Sequence, residues 1–181
     1  MRTKSLEQIK FFFQDLNRYK RVASKKHYLL LESGLYLVFL YRLSRFFFLV
    51  ELPVIKIFTK FLALFLMKLS ELLFNTLLSP STDIGPGLYI GHPYGILISH
   101  ESRVGKNLNI THQVTIGNRG LGVKGAPTLG DNVFIGSGAK IVGPIKIGDN
   151  ARIGTNSVVL KNVPNNAVVV GNPAKIVKIL N

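Results

Sequence analysis

The sequence predicts a mainly β chain, a parallel β-helix of hexapeptide repeats preceded by an α-helical unit. Three observations lead there. Aliphatic residues recur every six positions from Ile84 to Val159, apolar residues before position 78 recur at helical spacing, and the composition changes between the two stretches. Of 12 Phe, 11 lie in residues 1–77, and of 17 Gly only Gly34 lies there. The predicted units are therefore 1–78 and 79–181, meeting near the turn-forming Ser79-Pro80-Ser81.

The first unit reads as three helices. Ser5 and Gln8 have capping-box spacing, and Ile9, Phe12, Phe13 and Leu16 follow as one apolar face. Gly34 and Pro53 bracket a second apolar helix, and Pro53 can start a third. In the third, Lys56, Lys60, Lys68 and Glu71 share one arc, opposite Phe58, Phe61, Leu62, Phe65, Leu69 and Leu72. Arg42, Arg45, Lys56 and Lys60 interrupt the apolar runs, so none offers the roughly 18–20 residues of a bilayer crossing. A basic, aromatic-rich surface lying on an anionic membrane is expected instead, with helix packing as the competing reading.

The second unit is the repeat. Its inward positions are Ile84, Ile90, Ile98, Val104, Ile110, Ile116, Leu129, Ile135, Ile141, Ile147, Ile153 and Val159. Eight of these twelve are followed by Gly, which is expected to admit the tight corner turns. Three hexapeptides close a triangular coil of about 18 residues, and coils stack about 4.8 Å apart. The period breaks twice, by two residues between Ile90 and Ile98 and by an insertion over 118–128. His92 and His112 each follow an inward aliphatic by two positions and lie 20 residues apart, one coil plus the two extra residues. They should stack on one corner of adjacent coils. His100 should project from another corner, and His27 should be a surface residue.

Composition narrows the chemistry. Hydrophobic residues make up 47% and charged residues 18%, which excludes intrinsic disorder. The net charge of +14 calls for an anionic partner. The absence of cysteine excludes disulfides, thiolate metal sites and a Cys nucleophile. Glu7, Gln8 and Asp15 interrupt any secretory h-region, so the expected location is the cytoplasm, at the cytoplasmic face of a membrane. No metal site and no nucleic-acid partner are expected: no His-x4-His pair occurs, and the aromatics lie in the apolar helix faces.

The segments DIGPGLYIGHPYGILIS, NITHQVTIGNRG, LGDNVFIGSGAKIVGPIKIGDNARIGTNSVVLKNVP and VVGNPAKIV resemble the hexapeptide-repeat acyltransferases. Within these, residues 79–178 resemble the serine acetyltransferase-like branch, closest in character to capsule and colanic-acid type O-acetyltransferases. The resemblance implies a left-handed β-helix, acetyl-CoA as donor, a hydroxyl acceptor, and a homotrimer with sites between neighbouring prisms. Acetyl transfer to a hydroxyl needs a general base, and neutral imidazole suits it. His92 matches the family's catalytic histidine. His112 is the second candidate, as acceptor ligand, as a group orienting His92, or as the base itself. The donor groove implied by the resemblance includes Ser137, Gly138, Ala139, Gly154 and Thr155, with Asn118, Arg119, Lys124 and Lys175 assigned to the same ligand. Lys124, Lys175, Arg152 and Lys178 can face CoA phosphates.

Three positions depart from serine acetyltransferases. Leu77, Gly91 and Ala126 stand where those enzymes carry Asp, Asp and His. On that ground the expected acceptor is a sugar hydroxyl of a surface polysaccharide or its lipid-linked precursor, with His112, Gln113, Asn118 and Tyr94 nearby to bind it. Serine O-acetylation in cysteine biosynthesis is the alternative, and a non-catalytic β-helix scaffold is the second.

Overall fold

The computed structural model describes residues 2–22, 29, 31–120 and 122–180; His27 lies outside them. Three helices come first, α1 (Arg2–Val22), α2 (Ser33–Phe48) and α3 (Lys56–Phe74). Five coils of strand follow. The first runs β1 (Leu77–Leu78), β2 (Asp83–Ile84), β3 (Tyr89–Ile90), and the second β4 (Leu97–Ile98), β5 (Arg103–Val104), β6 (Asn109–Ile110). The third is β7 (Thr115–Gly117), β8 (Thr128–Leu129), β9 (Phe134–Ile135), and the fourth β10 (Lys140–Val142), β11 (Lys146–Ile147), β12 (Arg152–Ile153). The last is β13 (Val158–Val159), a bridge at Val163, and β14 (Ala167–Val170), on which β15 (Lys175–Ile179) folds back antiparallel. Each strand pairs in parallel with its counterpart one coil away, giving three sheets and the left-handed parallel β-helix that the hexapeptide period and the family resemblance imply.

All twelve periodic aliphatics are buried and form one continuous core. Six of the eight glycines after them have a different cause from the one expected. Gly85, Gly105, Gly130, Gly136, Gly148 and Gly154 are not in the left-handed region; a Cβ there would come within 2.2–2.8 Å of the next coil. Close stacking, not turn geometry, excludes a side chain. Asparagine fills five left-handed corner positions, Asn107, Asn132, Asn150, Asn156 and Asn166, and all of these but Asn156 pass side-chain hydrogen bonds from coil to coil.

The helices turn many of their large apolar residues outward. Ser5, Gln8, Asp15 and Tyr19 form the buried side of α1, whereas Ile9 and Phe13 face outward. Helix α1 starts before Ser5, which lies inside it rather than capping it. Helix α3 starts at Lys56, three residues after Pro53, and buries Thr59, Ala63, Leu66, Ser70 and Phe74 while Phe58, Phe61, Phe65 and Leu72 are exposed.

The physical reason is the open edge of the first coil. No earlier coil pairs with it, so its backbone groups need other partners. The helices supply them. Arg42 donates to the carbonyls of Ile84 and Gly85 at 2.8 and 2.7 Å, and Arg45 to that of Pro80 at 3.0 Å. Tyr41 donates to Thr82 O at 2.7 Å, Arg18 to Gly87 O, and Asp15 accepts from the Leu88 amide at 2.8 Å. A helical layer that caps a strand edge must turn polar side chains toward it.

Gly34 is part of this contact and lies inside α2 rather than marking its boundary. A Cβ there would fall 1.8 Å from Ile90 O and 2.8 Å from the Tyr19 hydroxyl. Gly34→Ala is expected to destabilise the fold by about 1–3 kcal/mol through overpacking, read as a lower urea midpoint. An unchanged midpoint would mean the helical layer is not seated on β3.

Candidate active site

Strands β3 and β6 pair in register, Tyr89 with Asn109 and Ile90 with Ile110. His92 and His112 therefore leave the same corner in adjacent coils, with ring centroids 5.7 Å apart and planes at 67°. At this corner Gly95, Gln113, Gly138 and Asn156 take positive φ. The amides of Gln113, Gly138 and Asn156 donate to the carbonyls of Tyr94, His112 and Ser137 at 2.8, 3.0 and 2.8 Å. Tyr94 is thus the counterpart of His112 along the corner. The two extra residues fall just before it, in the segment carrying His92, and push that ring out of the regular column.

The two histidines line an open concavity of about 580 Å³ with Asn75, Tyr94, Gly95 and Gln113. The bulge is held from several sides. The Tyr19 hydroxyl bonds both the amide and the carbonyl of Ile90 at 2.9 Å, and burial pushes its pKa up, so it stays a neutral donor. The Thr76 hydroxyl donates to Pro93 O and accepts from the Ile96 amide at 3.2 Å. The Gly95 amide donates to Phe74 O at 3.3 Å, and the Tyr94 ring lies 6.1 Å from that of Phe74.

Asn75 lines the concavity although the sequence did not mark it as a site residue. It closes α3 in a left-handed conformation (φ 48°, ψ 40°), with its amide on Glu71 O at 2.8 Å. Leu77, which stands where serine acetyltransferases carry Asp, lies on β1 in register with Leu97. The available signal was an Asn directly after an apolar helix, a common left-handed cap.

Ser137, Gly138, Gly154 and Thr155 continue the histidine corner into the following coils, between β9 and β10 and between β12 and β13. Ala139 adjoins them, but its side chain is in the core; its amide bonds Gly136 O and its carbonyl accepts from Thr115. Asn118, Arg119 and Lys124 are exposed on the excursion between β7 and β8, and Lys175 is exposed on β15. None of these four lines the concavity. His100 is exposed beyond β4, on another corner. Among the described residues no group of three or more His, Cys, Asp or Glu could hold a metal ion.

Residues 126–161 match the family described as bacterial transferase hexapeptide (six repeats). The chain is 48% identical over 99 residues to a serine acetyltransferase of Mycobacterium tuberculosis, covering 54% of this chain and 43% of that protein. It is 39% identical over 116 residues to a serine acetyltransferase of Helicobacter pylori, covering 64% of this chain and 68% of that protein. The chain thus spans less than half of the first relative's length and about two thirds of the second's. Among solved structures, the Neisseria gonorrhoeae serine acetyltransferase in complex with serine superposes with a TM-score of 0.82 at 32% identity, over 97% of this chain and 72% of that one. The Brucella abortus serine acetyltransferase in complex with coenzyme A superposes with a TM-score of 0.83 at 30% identity, over 97% of this chain and 69% of that one.

These relatives overturn the capsule-type branch and the sugar or lipid-linked glycan acceptor expected from Leu77, Gly91 and Ala126. Proteins named for serine match both the sequence and the full fold, so three substituted positions do not move the chain out of their family. Identity of 39% to a relative of which it spans 68%, on a five-coil β-helix bearing its histidine pair on one corner, places the chain in the serine acetyltransferase family of hexapeptide transferases.

Proposed function

We propose that the chain transfers the acetyl group of acetyl-CoA to the hydroxyl of serine, giving O-acetylserine and CoA. The observation that carries this reading is the His92–His112 pair, on a chain similar over 97% of its length to a serine-bound enzyme. His92 is exposed on the bulge and can reach a substrate hydroxyl from the open side of the concavity. As general base it removes the hydroxyl proton while the serine oxygen attacks the thioester carbonyl. The tetrahedral intermediate collapses with cleavage of the C–S bond, and the imidazolium returns its proton to the departing CoA sulfur. Asn75, His112 and Gln113 offer hydrogen-bonding groups to the rest of the acceptor. The donor runs along the same corner past Ser137, Gly138, Gly154 and Thr155.

The working form is a homotrimer in the cytoplasm, in which the flat side of a neighbouring prism completes each donor groove. Exposed Asn118, Arg119, Lys124 and Lys175 then face CoA from the excursion and the last hairpin. Thiol release from acetyl-CoA with L-serine tests the reading. Serine-dependent release with O-acetylserine as product is expected. Release that serine does not stimulate, while another hydroxyl compound does, overturns it.

A further inference from the structure

We propose that the outer face of the helical layer, centred on α3, docks on the surface of an anionic phospholipid membrane. The inside of α3 is a narrow strip, three of whose five buried residues are small or polar: Thr59, Ala63 and Ser70 are 5%, 0% and 3% exposed, beside Leu66 and Phe74. Its outside is large and apolar: Ile57, Phe61 and Leu72 are 86%, 69% and 83% exposed. A surface helix in water turns charged and polar residues, not large apolar ones, to its outer side. The apolar surface does not stop at α3. A concavity of about 540 Å³ joins Leu6 of α1, Phe46 and Phe47 of α2, and Ile55 beside α3. Such an area on a water-soluble chain marks an interaction surface.

Charge selects the occupant. Residues 1–78 carry 13 Lys and Arg against five Asp and Glu. Three of those five are already engaged within the chain, Asp15 by Arg42, Glu71 by Lys68 and, at 3.9 Å, Glu51 by Lys56. A second copy would bring a like-charged surface against this one, whereas anionic headgroups complement it. Lys56 and Lys60 flank the apolar face, and the Lys60 ammonium lies 4.8 Å from the Phe48 ring centre, its stem along apolar surface and its head at the rim. Among the described residues no helix is long and apolar enough to cross a membrane. Lying in the interface with aromatics down and lysines at headgroup level fits the pattern.

The test is cosedimentation of the full chain with phosphatidylcholine vesicles, with and without phosphatidylglycerol. Binding at least about tenfold stronger to the anionic vesicles, weakened by salt, is expected. The double variant Phe61→Ser/Phe65→Ser should lose at least about tenfold of it, since both rings are exposed. Lys56→Glu/Lys60→Glu, which keeps the apolar face, should weaken binding to anionic vesicles alone. Acetyl-CoA turnover in solution should stay at the parent level in both variants, so this proposal can fail while the serine reading stands. No sedimentation, or equal sedimentation with neutral and anionic vesicles, overturns it. So does loss of a larger assembly in the Phe variant without vesicle binding, which assigns the face to a second copy.

Discussion

His92→Ala is expected to lower kcat for serine acetylation by about 10²–10⁴, the usual span for a lost general base, with the affinity for CoA unchanged. The bulge that carries His92 is fixed through Ile90, Pro93 and Gly95 by Tyr19, Thr76 and Phe74, and none of these contacts uses the imidazole. Truncating the ring therefore leaves the corner intact and removes the proton acceptor. The donor residues on the later coils are untouched, which separates a kcat effect from a binding effect. His112 lies in the regular corner column, its carbonyl bonded to the Gly138 amide, and its ring is half-buried. His112→Ala should raise KM for serine more than it lowers kcat. The assignment is reversed if His112→Ala abolishes turnover and His92→Ala keeps near-parent kcat. Both variants are measured by thiol release, with CoA affinity measured separately.

Asp15→Ala is expected to cost about 3–5 kcal/mol of stability, the range for removing one member of a buried ion pair. Arg42 is 2% exposed, and its guanidinium meets Asp15 at 2.8 and 3.3 Å. Burial holds the Asp15 carboxyl above its ordinary range, while Arg42 and the amides of Leu88 and Gly87 pull it back down. Removing the carboxylate strands the cation in the layer between helices and β-helix. Replacing both residues with apolar ones of similar size often rescues such sites. Here the rescue should be incomplete, because Arg42 also satisfies the carbonyls of Ile84 and Gly85, which an apolar side chain cannot do. Urea denaturation at fixed protein concentration checks both variants. A double apolar variant as stable as the parent would show that the first coil does not need these donors.

The β-helix and its histidine column were legible in the sequence because they follow from spacing along the chain. Twelve aliphatics at a six-residue period can bury together only in stacked coils, and the pairing of Ile90 with Ile110 puts His92 and His112 at one corner. Tertiary structure decided which way the helices face. Their apolar stripes left two readings, a membrane-facing surface and helix packing, and the surface the helices cover is a strand edge with unpaired backbone groups. Edge carbonyls and amides outcompete apolar contact for Arg42, Tyr41, Asp15 and Tyr19. It also decided what enters the site. The left-handed end of α3 brings Asn75 to the concavity, just ahead of the strand that holds Leu77. Spacing along the chain does not place a helix-end residue against a coil corner, because the rise per residue changes more than twofold where helix becomes strand.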